Sequence, residues 1–167
     1  MNKKLALSLL FLFLLFWLET ALLRVFSQEP QFIPQLVLLF VIVFALTHSL
    51  VETLWVSFLA GFFEELFSGI FFGAHIWAFV LTGVVIYLIT RNLTAEEIKF
   101  PTALFLVALA SVFYVFAIYA YDSALNLLEA GNIQSLHYYF PQIFFLEIVL
   151  NIVLFFPIRA VYKLVPK

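Results

Sequence analysis

The sequence predicts an all-α integral membrane protein, a compact bundle of about six transmembrane helices. Three observations lead there. First, of 167 residues 66% are hydrophobic and only 11% charged, where ordinary soluble domains run at about 45–50% and about 25%. A domain of this size leaves much of its surface exposed, so a water-facing fold has nowhere to put 23 Phe side chains. Second, the apolar residues gather at 5–23, 34–50, 53–71, 73–90, 101–120 and 139–160, each close to the roughly 20 residues that cross a hydrocarbon core. Third, a cytoplasmic N-terminus puts Lys3, Lys4, Arg91, Lys99, Arg159, Lys163 and Lys167 inside and leaves only Arg24 outside. That is the distribution of the positive-inside rule. The expectation is one multi-pass transmembrane domain, residues 1–167, with both termini cytoplasmic.

The first helix follows Met1-Asn2-Lys3-Lys4. Its apolar run has the look of a secretory leader, but no small-x-small cleavage site follows, so it reads as a retained span. Glu19, late in this run and near Arg24, is expected at the outer interface. Residues 27–34, with Pro30 and Pro34, form an outer loop. The second, third and fourth spans are nearly continuous in the sequence. Residues 91–99 make a polar inner loop closed by Pro101, and residues 121–137 make the longest, external loop. Tyr119, Tyr121, Tyr138 and Tyr139 gather at the outer ends of the fifth and sixth spans, where amphipathic rings prefer to sit.

Polar residues inside the spans are the candidates for function. A charge at the bilayer centre costs at least ~2.5–3.5 kcal/mol, so Glu64 and Glu65 require a partner, water, a proton or an interfacial position. Gly61, Glu65, Gly69 and Gly73 recur every four residues and share a face while the helix continues. Small residues at that spacing let helix backbones approach closely. The face fits a partner protein, packing between two helices of this chain, or the turn between the third and fourth spans. Glu64 points about 100° away from Glu65, in line with Ala60 and Ser68; it fits a structural role at the interface, a protein contact or an ion site. Glu147 and Asn151 share a face of the sixth span and are expected to join it to the bundle.

Other chemistry is disfavoured. With no cysteines there are no disulfides, thiolate metal sites or cysteine nucleophiles. A net charge of −2 gives no basic surface for nucleic acid. His48 and Glu52 have the spacing of two ligands on one turn, but His75 and His137 belong to regions facing the other side, so no metal is expected and no cofactor motif appears. Adjacent membrane glutamates suggest the intramembrane CAAX-type proteases, whose Glu-Glu-x-x-x-Arg motif lacks its arginine here: Leu66-Phe67-Ser68-Gly69 follows the pair. A base without its metal or acid partner is not a catalytic site, and no catalytic residue is assigned.

Gly61-Phe62-Phe63-Glu64-Glu65-Leu66-Phe67-Ser68-Gly69-Ile70-Phe71-Phe72-Gly73, followed by an apolar helix ending at Arg91, resembles the pattern of the MreD family of the bacterial rod-shape system. Pro34-Gln35-Leu36 and Leu150-Asn151-Ile152 with Pro157 are similar to that family's second and last helices. The chain departs from the pattern at Glu65 and Gln35, where the family usually has Asp, and in the extra Glu64. The resemblance implies a non-catalytic scaffold of the bacterial cytoplasmic (inner) membrane that binds MreC. It also implies association with MreB, a RodA-type glycosyltransferase and a penicillin-binding transpeptidase in peptidoglycan synthesis and cell-shape regulation. MreD-like chains are also similar in layout to the six-helix substrate-binding subunits of energy-coupling-factor importers, which gives the alternative reading of a small-molecule importer subunit.

Overall fold

The computed structural model describes residues 3–25, 34–68, 72–91, 100–127 and 142–163. They form six helices: α1 (Lys3–Val25), α2 (Leu36–Ala45), α3 (Leu50–Ser68), α4 (Ala74–Thr90), α5 (Phe100–Leu127) and α6 (Gln142–Tyr162). In most of them the buried residues recur at helical spacing. α1 turns Ser8, Leu12, Leu15, Phe16 and Glu19 inward, and α6 turns Glu147, Asn151, Phe155, Ile158 and Tyr162. The opposite faces are apolar as well: Leu10, Leu14 and Trp17 on α1, Val51, Trp55 and Phe58 on α3, and Phe105, Val112 and Phe116 on α5 are exposed. The charged outer face of a water-facing amphipathic helix is missing from these stripes.

Helix α2 is different. All ten of its residues are buried, and it packs against each of the other five helices. Its composition, LVLLFVIVFA, is apolar on every side, as a helix with no exposed face must be. At 1.5 Å per residue it is only about 15 Å long. Leu46, Thr47 and His48 close its C-terminal end through bonds back to Ile42 and Phe44 carbonyls. The chain then re-enters a helix at Leu50 through a capping box. Ser49 Oγ accepts the Glu52 amide at 3.4 Å, and Glu52 Oε2 accepts the Ser49 amide at 3.1 Å.

The most extensive pairing is α3 with α4. Small residues are buried on both helices, Ser57, Ala60 and Gly61 on α3 and Ala74, Ala78, Thr82 and Gly83 on α4; Gly61 lies against the backbone of His75 and Ile76, and Gly83 against Ser57 and Thr53. Gly73 begins α4 with φ of 105°, a left-handed conformation that glycine adopts without a Cβ penalty.

Two sequence expectations are corrected. The bundle has six helices, but among the described residues only one, Phe100–Leu125, is long and apolar enough to cross a membrane. The six transmembrane spans, and with them the multi-pass placement in the bacterial inner membrane, are therefore not what the fold presents. The physical reasons are visible in the helices. The apolar stretches Ala6–Leu22, Leu36–Ala45 and Ala74–Thr90 are short, and α3 carries Glu52, Glu64 and Glu65. The second apolar run, expected to reach residue 50, stops being helical at Ala45, because the residues after it turn the chain back into α3.

Candidate functional site

The helices alternate in direction, so the C-terminal ends of α1, α3 and α5 lie with the N-terminal ends of α2, α4 and α6. Glu19, Glu64, Glu65 and Glu147 lie at this end, while Glu52 caps α3 at the other. The first amides of any α-helix lack an intrahelical acceptor, and α2 begins deep in the bundle where water is excluded. Side chains from both extremes of the chain supply the acceptors. Glu19 Oε2 on α1 accepts the Val37 amide at 2.9 Å, and Asn151 Oδ1 on α6 accepts the Gln35 amide at 2.9 Å. Asn151 Nδ2 in turn donates to Ser111 Oγ on α5 at 3.4 Å. Carboxylates are favoured at a helix N-terminus, where the unsatisfied N–H groups carry partial positive charge. Glu19 and Asn151 are buried, at 8% and 0% exposure.

The N-terminus of α4 is held in the same way. Glu65 Oε2 accepts the His75 amide at 2.8 Å. His75 Nδ1 shares a 2.7 Å hydrogen bond with the Tyr114 hydroxyl on α5, and Tyr121 donates its hydroxyl to the Phe72 carbonyl at 2.9 Å. Close by, Glu64 is partly exposed and Glu147 is buried; both carboxylates lie within electrostatic reach of Glu19.

At the opposite end, Tyr162 on α6 ties the chain's first and last helices together. Its hydroxyl bonds with Ser8 Oγ at 2.9 Å and with His48 Nε2 at 3.4 Å. His48 stacks on Phe44 with ring centroids 3.8 Å apart and planes 8° apart, and its Nδ1 meets Thr47 Oγ1 at 2.8 Å.

The structure distributes the predicted residues as follows. Gly61 is buried against α4: a Cβ there would stand 2.5 Å from Ile76 Cα, so that surface is occupied by this chain's own helix. Glu65 follows it at the cap of α4, and Gly73 is the turn that starts α4. Gly69 lies outside the described residues. Glu64, Glu147 and Asn151 are brought to one end of the bundle. His48 and Glu52 part company, one toward Tyr162 and the other into the cap of α3. Sequence reasoning missed Glu19 as the cap of α2; its signal was a lone acid four helical turns into an apolar run. It also missed Ser8, Tyr114 and Tyr162, which carry no local signal.

Among the described residues no group of three or more His, Cys, Asp or Glu side chains is arranged to hold a metal ion. The family model for the rod shape-determining protein MreD matches residues 1–165. This chain belongs to the MreD family. As an MreD-family chain it is a non-enzymatic membrane component of the rod complex, working among that complex's other proteins. No curated protein and no solved structure matches it. Within this MreD-family chain's glycine-rich segment, Glu65 reaches the N-terminus of the neighbouring helix and caps it.

Proposed function

We propose that this chain is a non-catalytic scaffold that binds MreC and, through it, supports peptidoglycan synthesis by a RodA-type glycosyltransferase and a penicillin-binding transpeptidase, with MreB as a further associate. The observation that supports this reading is how the buried polar groups are used. Glu19, Glu65, Asn151 and Tyr162 hold helix ends, while the helices offer apolar outer faces to neighbours. A rigid bundle with apolar sides suits helix-to-helix partnership. The centre of the bundle is filled by α2.

The test is to tag the C-terminus, extract the protein from native membranes in mild detergent and identify what co-purifies. A single-span MreC-like protein, with or without the wall synthases, is the expected outcome. Recovery of a coupling subunit with ATPases instead would overturn the scaffold reading.

A further inference from the structure

Around the buried start of α2, several side-chain oxygens have no donor among the described residues. Glu19 and Asn151 each give an oxygen to a backbone amide. Beside them Gln35 Oε1, Glu64 Oε1 and Glu147 Oε1 are buried with no hydrogen-bond partner among the described residues. Glu147 is only 6% exposed, and its charge, like that of Glu64, acts on Glu19. Among the other described acidic and imidazole side chains at this end, Glu65 is turned to the His75 amide and His75 Nδ1 to Tyr114, while His75 Nε2 is buried without a partner among the described residues. Arg91, Arg159 and Lys163 sit at the C-terminal ends of α4 and α6, at the far end of the bundle.

Buried carboxylates with unused oxygens are costly unless something supplies charge and donors. A single metal ion is a poor match, because no three acidic or imidazole groups among the described residues converge on one point. A guanidinium matches better: it is planar, permanently charged, and its five N–H donors reach acceptors several ångströms apart. We propose that this end of the bundle is a receptor for a guanidinium group, presented by an arginine of a rod-complex partner. Glu64 and Glu147 pair with its charge, and Gln35 Oε1 takes a further N–H. Glu64 marks the way in, since it is partly exposed whereas Glu19, Glu147 and Asn151 are buried. The source of the arginine rests on the scaffold reading; the chemistry of the receptor does not.

The first arm uses the purified full-length protein in detergent and follows thermal unfolding with methylguanidinium, tetramethylammonium or sodium at equal ionic strength. Saturating methylguanidinium is expected to raise Tm by about 5–10 °C. Tetramethylammonium, which has no N–H donor, is expected to do nothing. The Glu64→Gln/Glu147→Gln protein should lose the response; Glu64→Gln alone, at the partly exposed position, should weaken it if the double variant fails to fold. An equal rise with sodium, a response that survives these substitutions, or no response at all overturns the proposal. So does a response that appears only after Arg24→Gln, because the chain's own arginine would then fill the receptor.

The second arm replaces Glu64 with the photo-crosslinker benzoylphenylalanine in cells. An adduct on a partner peptide with an arginine within one helical turn is the expected result. An adduct confined to an aminophospholipid overturns the partner as source. The two readings fail separately: MreC recovered without a methylguanidinium response sinks the receptor alone, and the reverse sinks the scaffold.

Discussion

Replacing Gly61 with alanine probes the contact on which α3 and α4 depend. The new Cβ would lie 2.5 Å from Ile76 Cα and 2.8 Å from both His75 O and Ile76 N. Carbon contacts are comfortable at about 3.5–4.0 Å, so the two helices must part locally by about 1 Å. All of these neighbours are backbone atoms, and no rotamer change relieves them. Overpacking of this kind costs about 1–3 kcal/mol. Parting the helices also stretches the 2.8 Å bond from the His75 amide to Glu65, one turn further on, for about 1 kcal/mol more. A total of about 2–4 kcal/mol lowers Tm by about 5–15 °C in a chain of this length. Gly83→Ala is the matched comparison. Its Cβ meets the Ser57 hydroxyl oxygen, which rotates away, and then Ser57 Cβ at 3.2 Å; the loss should be smaller, and Ser57→Ala in the same chain should recover part of it. Thermal unfolding in detergent, followed by near-UV circular dichroism, reads both variants. If Gly61→Ala melts with the parent, or Gly83→Ala is the more damaging of the two, the close-approach argument is wrong.

Three further outcomes are expected from the capped helix ends. Asn151→Ala leaves the part-buried Gln35 amide without its 2.9 Å acceptor and should cost about 1–3 kcal/mol, whereas Ser111→Ala removes only a 3.4 Å contact and should cost less; denaturation of the two variants side by side checks the order. Glu19→Gln keeps an oxygen for the Val37 amide and should be tolerated better than Glu19→Leu, with hydrogen exchange at Val37 accelerated only in the leucine variant. Tyr162→Phe removes the links to Ser8 and His48 and should cost about 1 kcal/mol. Combined with Ser8→Ala, the loss should fall short of the sum of the two single variants, because both cut the same bond; full additivity in a double-mutant cycle would count against that bond.

The helical segments were legible in the sequence because apolar runs separated by Pro, Gly and charged residues mark them, as at Pro34, Gly73 and Pro101. What each helix does was less legible. The second run reads as a span by hydropathy alone, yet α2 is a ten-residue core helix. Periodicity cannot separate a helix surrounded by lipid from one surrounded by protein. The adjacent acids stand out in the sequence, but the use of each depends on which amide its carboxylate reaches. Glu65 and His75 are ten residues apart, within range of a turn-based argument. Glu19 with Val37 and Asn151 with Gln35 are 18 and 116 apart, and only the packed bundle brings them together. The resemblance to MreD added the family; it did not reveal that the glycine at 61 is filled by the chain's own fourth helix.

Ser8 and Tyr162 meet across 154 residues of sequence, and the amide before α2 waits for an acceptor 116 residues downstream. A ribosome making this protein therefore releases its innermost helix long before the residues that secure it exist. Until α6 emerges, α2 has lost neither its exposed amide nor the gap beside it. The last helix is thus the latch of the molecule. A chain shortened before Asn151 should be recognised as unfinished and degraded, even though every other helix has been made.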